Sequence, residues 1–203
     1  MTTTLPLFPL SRPLFPDGAL SLRVFEIRYL NMIRRCIDEQ SEFGVVLLLE
    51  GSEVRSPTGR ETLATAGTRA KITEWQSPVP ALFHIQCLGT TRFQLLNAHQ
   101  EDYGLWVGNV LELPQAPAET IPEHLQAAAD RLQRLLNEIK QDSGPVELPI
   151  AQPYRFSDCG WVADRWGELL PMSAADRQRL LTMQNPVRRL ETVFEQLKGR
   201  GLV

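Results

Sequence analysis

The stretch PLFPLSRPLFPDGALSLRVFEIRYLNMI, residues 6–33, decides what kind of fold this chain adopts. It says PLFP twice, at residues 6–9 and 13–16. Proline fixes φ near about −65° and withholds a hydrogen-bond donor, so each phrase is confined to an edge strand or an extended connector. Asp17-Gly18 is a turn signal. After it Leu20, Leu22 and Val24 alternate with Ser21 and Arg23, the period of a strand. From Glu26 the period lengthens. Ile27, Leu30, Ile33 and Ile37, flanked by Tyr29, Met32 and Cys36, form one apolar helical face, and Arg28, Arg34, Arg35, Asp38 and Glu39 occupy much of the other. The stretch is a strand feeding a helix, with the switch near Phe25-Glu26.

Outward from it, the first half of the chain reads as β. Residues 43–51 (FGVVLLLEG) make a continuous apolar run of the buried-strand type. A loop marked by Gly51, Pro57 and Gly59 follows, and then a longer strand within residues 61–75, where Gly67 predicts a bend or bulge. Residues 81–98 read as two strands hinged at Gly89-Thr90-Thr91, a short-loop hairpin. Residues 103–114 add another alternating strand. Six or more strands joined by hairpins, with one helix, predict a closed or nearly closed barrel-like sheet.

The texture changes at Pro114, where PQAPAETIP forms a Pro/Ala connector. An amphipathic helix is predicted over residues 122–141, with Thr120 as N-cap and Leu125, Ala128, Ala129, Leu132, Leu135, Leu136 and Ile139 on its apolar face. Three shorter helices follow: 159–170, capped by Ser157 or Asp158; 174–183, capped by Ser173 with Asp176 three residues on; and 185–198, with Asn185 as cap and Pro186 at the first helical position. The fold class is therefore α+β. Residues 1–113 form a β-rich pseudo-barrel subdomain with one long helix, residues 114–203 form a helical subdomain, and the linker covers about 114–121.

Composition narrows the function. The 203 residues carry 21 basic and 24 acidic side chains, a net charge of −3, and both halves share the balance: 10 basic against 12 acidic in residues 1–113, and 11 against 12 in 114–203. Neither half offers the basic excess that a phosphate backbone selects, which disfavours a nucleic-acid partner. The N-terminus lacks a charged and apolar leader, and no apolar run nears the roughly 20 residues needed to span a bilayer. Three widely spaced cysteines, Cys36, Cys87 and Cys159, suit buried thiols in a reducing cytoplasm better than a disulfide framework.

The sequence offers few chemical motifs. Walker, dinucleotide-binding, H-E-x-x-H and C-x-x-C motifs are missing. His84 and Cys87 stand at odd separation on one strand and point to opposite faces, which disfavours a shared metal. His99 and His124 are isolated. Ser143, in Asp142-Ser143-Gly144, has no base at any useful spacing, and D-S-G is ordinary turn chemistry. The reading is of a non-enzymatic protein with no cofactor and no metal. The aromatics are more informative. Trp75, Trp106, Tyr154, Phe156 and Trp161 are candidates to line an apolar groove for extended polypeptide, in competition with plain packing.

The order of LPLFPL (5–10), LFPDGALSLRVFEIRYLNMI (from Leu14), FGVVLL (from Phe43), GTRAKI (67–72) and GTTRFQLL (89–96) resembles the N-terminal, substrate-binding domain of the Lon ATP-dependent proteases. The helical segment from Ala163 to Leu197 is similar to that family's helical tail. Phe25, Glu26, Arg28 and Tyr29 match its F-E-x-R-Y motif, with Ile27 where many members have proline. The resemblance implies a PUA-like pseudo-barrel followed by helices, and recognition of unfolded or tagged polypeptide or of a protein partner. It implies a free-standing domain, because the sequence holds neither the ATPase nor the peptidase motifs. The motif residues read first as structural: an acid at the helix start favours the dipole, and Arg28 is placed to pair with a carboxylate. Their functional reading is a polar rim on a binding cleft. Small-molecule or RNA binding on a PUA-like sheet is the alternative. The oligomeric state is left open by the sequence.

Overall fold

Between Val24 and Ile27 the chain passes from strand β2 (Ala19–Val24) into helix α1 (Ile27–Glu39). Glu26 is the residue at the joint, in extended backbone, and its carbonyl accepts from the N–H groups of Tyr29 and Leu30. The switch falls where the sequence predicts it. Upstream, Pro16-Asp17-Gly18 turns the chain, with Asp17 at positive φ and the Gly18 N–H donating 3.0 Å to the Phe15 carbonyl. The computed structural model describes residues 2–53, 61–142 and 150–203. The loop signals Pro57 and Gly59, and Ser143, lie outside the described residues.

The chain forms two compact units, Met1–Leu113 and Pro114–Val203. In the first, among the described residues, β1 (Thr2–Leu10), β2, β3 (Phe43–Glu50), β4 (Thr62–Val79), β5 (Leu82–Gln100) and β6 (Trp106–Glu112) form one sheet ordered β2-β5-β4-β3-β1-β6. A further β5–β6 pairing closes β5, β4, β3, β1 and β6 into a ring, with β2 appended to the first half of β5. The barrel interior is filled by Leu5, Leu7, Val46, Phe93 and Val110. A second cluster packs α1 through Tyr29, Leu30, Met32, Ile33 and Cys36 against Phe8, Phe43, Val45, Phe83 and Ile85. Gly67 is required by close approach: a Cβ there would lie 2.3 Å from the Val45 carbonyl and 2.6 Å from the Phe93 ring. The β3–β4 register shifts beside it, the irregularity that glycine predicted.

Three expectations are corrected in this unit. The first PLFP is not on an edge: β1 lies between β3 and β6. Its two pairings are staggered. Residues Thr2 to Leu7 pair with β6 and Leu7 to Leu10 with β3, so Pro6 and Pro9 each sit where one flank of the strand is unpaired. Gly89-Thr90-Thr91 is not a hairpin but an irregularity inside the continuous β5, and the true turn is Pro80-Ala81, between Val79 and Leu82. Gly89 is there because the chain crosses it: its N–H donates 2.8 Å to Gly18, its carbonyl accepts 2.9 Å from Asp17, and a Cβ would fall 2.2 Å from the Phe15 carbonyl. On α1, Ile27 is exposed and Arg28 is buried, the reverse of the faces read from periodicity.

The second unit consists of α2 (Gln126–Asp142), α3 (Cys159–Leu169), α4 (Ala174–Thr182) and α5 (Pro186–Lys198). Thr120 does not cap α2. It bridges to Asp158 instead, and the helix is entered through a 3-10 turn at Glu123–Leu125. The other caps fall where the sequence puts them. Asp158 accepts from Gly160, Ser173 from Asp176 and Asn185 from Arg188, each through its side chain, and Pro186 opens α5. Helix α3 is buried almost all round. Trp166 Nε1 donates 3.0 Å to the Ala128 carbonyl of α2, and Asp164 pairs at 3.2 Å with Arg189 of α5, both side chains buried.

Candidate polypeptide-binding surface

Pairing between β3 and β4 ends at Phe43 and Ala70, so the distal part of β4, residues 71–79, is laddered to β5 alone among the described strands. With β2 on the far side of β5, this makes a three-stranded platform. Trp75 stands opposite Ile85 on its inner face, its ring 6.0 Å from that of Phe83. Arg34 of α1 lies over Phe83, Cζ 5.7 Å from the ring centre, and donates 2.7 Å to the Pro80 carbonyl, tying the turn to the helix. Phe83 and Ile85 are buried, yet Trp75 is 51% exposed.

Two open hollows meet at this tryptophan. One, of about 340 Å³, lies between β4 and the end of α1 and is lined by Cys36, Ile37, Gln40, Ile72 and Trp75, among others. The other, of about 460 Å³, opens on the polar face of the platform, among Arg23, Glu74, Gln76, His84 and Gln86. His84 is exposed and Cys87 buried, as opposite faces require. No group of three or more metal-ligating side chains occurs among the described residues.

The F-E-x-R-Y segment is a joint. Arg28 is 3% exposed. Its guanidinium donates to Glu26 (3.2 Å), to the Gly104 carbonyl (3.2 Å) and to the Glu53 carbonyl (3.4 Å), and pairs with Glu61 at 3.6 Å. It also lies 4.5 Å from the centre of the Tyr29 ring, which stacks on Phe8 at 4.0 Å. Burial raises the Tyr29 phenol well above its ordinary range. Trp106 Nε1 donates to Glu61, so one carboxylate serves both Arg28 and Trp106. Arg28, buried and fully engaged, is an anchor rather than a rim. Around the joint, Phe25, Ile27 and Tyr103 are exposed. A periodicity reading puts Ile27 in the core, so nothing in it marks this patch.

The five candidate aromatics therefore part company. In the first unit Trp75 pairs near the start of β5 and Trp106 at its end, opposite Gln100. Trp106 packs against the barrel interior and bonds to Glu61, a structural role. In the second unit Tyr154, Phe156 and Trp161 meet: ring centres are 5.7, 5.9 and 5.3 Å apart, with Trp161 only 2% exposed and Lys140 Nζ 4.6 Å from the Tyr154 ring. Of the five, Trp75 alone offers a large open face.

The family model for the ATP-dependent protease La (LON) substrate-binding domain matches residues 4–199. Among solved structures, the Lon N-terminal domain protein from Xanthomonas campestris is similar at 30% identity with a TM-score of 0.73, covering 95% of this chain and 98% of that one. The N-terminal domain of the Mycobacterium avium complex Lon protease has the same fold, at 14% identity and a TM-score of 0.60, covering 97% and 98%. Among curated proteins nothing matches.

Proposed function

The chain belongs to the family of Lon substrate-binding domains, and from that premise we propose that it is a binding module, without chemistry of its own, that takes unfolded or tagged polypeptide on the β-rich subdomain, residues 1–113. The observation that carries this reading is Trp75, a large aromatic left half in water on the β4–β5 ladder where two hollows meet. Aromatic anchors of this kind dominate the affinity of polypeptide interfaces. Phe25, Ile27 and Tyr103 add a second apolar surface at the Arg28 joint. The reading places the protein in the cytoplasm, where three buried free thiols stay reduced. No helix among the described residues is long and apolar enough to cross a membrane.

The test is a titration with dye-labelled ribonuclease A, once reduced and carboxymethylated so that it stays unfolded, and once native. Anisotropy should rise for the unfolded form alone, and Trp75→Ala should weaken that binding at least tenfold. Equal binding of both forms, or of neither, would remove the reading.

A further inference from the structure

We propose that the open edge of β4, residues 72–77, receives an extended segment of the client polypeptide as an added strand; this deepens the binding role above and rests on it. Strand β3 leaves the lane beside β4 at Phe43, where the chain turns back into α1 through Gln40. Past that point the flank of β4 facing away from β5 has no strand among the described residues. An unpaired flank presents N–H and C=O dipoles in alternation, a charge pattern complementary to another extended backbone. The row is bracketed by Lys71 at one end and by Pro78, which has no N–H, at the other.

The lane also has a wall. The hollow of about 340 Å³ runs along this edge, between Ile72 and Trp75 on β4 and Cys36 and Ile37 on α1, with Gln40, Ser41, Lys71 and Thr73 completing its lining. Ile72 pairs with Cys87 and Trp75 with Ile85, two residues apart on β5, because the register shift at Thr73 absorbs one residue. Ile72 and Trp75 therefore share the inner face despite being three apart. A guest strand would set every second side chain against this mixed wall, where Ile37, Ile72 and Trp75 are its apolar contacts, and turn the others to solvent. The client is thus a segment with apolar residues at alternate positions, captured chiefly through its backbone.

The experiment is amide hydrogen exchange of the full chain with and without reduced, carboxymethylated ribonuclease A. A companion measurement uses a ten-residue peptide alternating valine and threonine, with two versions N-methylated at the odd or at the even amides. Exchange should slow at least tenfold at outward-facing amides of residues 72–77. One methylated peptide should lose at least tenfold in affinity while the other keeps it, since each blocks a single edge of the guest. If the unfolded protein binds but leaves these amides unchanged, or both methylated peptides bind like the parent, the edge is overturned and the binding role stands. If no polypeptide binds, both fall. Protection that appears without polypeptide and grows with protein concentration would give the edge to a second copy and overturn the proposal.

Discussion

Tyr154, Phe156 and Trp161 in the helical unit and Trp75 in the sheet unit are the same kind of residue in opposite surroundings. The three rings pack on one another within 6 Å between centres, with Lys140 over Tyr154 and Trp161 removed from water. Trp75 has one ring neighbour, Phe83, and half its surface stays wet although the sheet beneath it is laddered on both strands of the hairpin. Aromatic content alone does not separate the two. Whether a ring's partners come from its own chain does. A ring that its neighbours enclose stabilises the fold, whereas one left half in water keeps area that its own chain does not use.

The sharpest way to break this contrast is at Trp161. Truncating a buried tryptophan costs about 3–5 kcal/mol, so Trp161→Ala should lower the unfolding free energy of the helical unit by that order in urea titrations followed by circular dichroism. Binding of unfolded polypeptide by the sheet unit should be unchanged wherever the variant remains folded. A loss below about 1 kcal/mol would mean that the trio is a surface after all, and the contrast would dissolve.

Next in size is Gly89, which holds the frame on which Trp75 stands. A methyl group at Gly89 would meet backbone, not a flexible side chain, 2.2 Å away at the Phe15 carbonyl. Overpacking of this sort costs about 1–3 kcal/mol, so Gly89→Ala should destabilise the sheet unit by the upper part of that range in the same titration. An unperturbed melting curve would show that the crossing at Asp17-Gly18 is not held by Gly89.

Gly89 also shows what the sequence could and could not say. The strand-to-helix switch, the caps at Asp158, Ser173 and Asn185, and the closed sheet were all legible, because turn chemistry and periodicity are local. A glycine reserved for a distant stretch of chain looks the same in sequence as a glycine in a hairpin. Pro80 was the better turn signal: it opens the Pro80-Ala81 turn, two residues after Pro78 near the end of β4. Arg28 was misplaced for a related reason: its partners Glu53, Glu61 and Gly104 are remote in the chain, and periodicity assigns a charged residue to water unless they are known. Of the candidate surface, Trp75 was named from sequence. The open edge beside it was not, because a strand's free flank depends on where another strand stops.

The two units should also be separable by pH. Burial pushes the Cys87 thiol of the sheet unit from an ordinary 9.0 to about 12, and burial, then Asp158 and Glu119, push Cys159 of the helical unit to about 11. These folded values lie above the unfolded one. The stabilisation is therefore complete below about pH 9 and is lost as pH rises towards each folded value, by about 1.4 kcal/mol per pH unit for each thiol. Unfolding titrations between about pH 9 and 11 should show this decline, and Cys87→Ala should remove its share. A slope that is unchanged in Cys87→Ala would mean that this thiol already ionises in the folded protein.

The smallest expected change in stability belongs to Trp75, and it is the one the contrast most depends on. Half the ring is already in water, and its inner edge touches Phe83, which Arg34 still covers after truncation. Trp75→Ala should therefore cost no more than about 1 kcal/mol, well short of the 3–5 typical of an enclosed ring. The same change should lower affinity for unfolded polypeptide at least tenfold. Denaturant titration and anisotropy on one preparation read the two quantities separately. A variant that melts like Trp161→Ala would make Trp75 a packing residue that happens to be visible, and its hollows would lose their anchor. A variant that is stable and still binds would move recognition to Phe25, Ile27 and Tyr103 at the Arg28 joint, a second group of large apolar side chains that the sheet unit leaves in water.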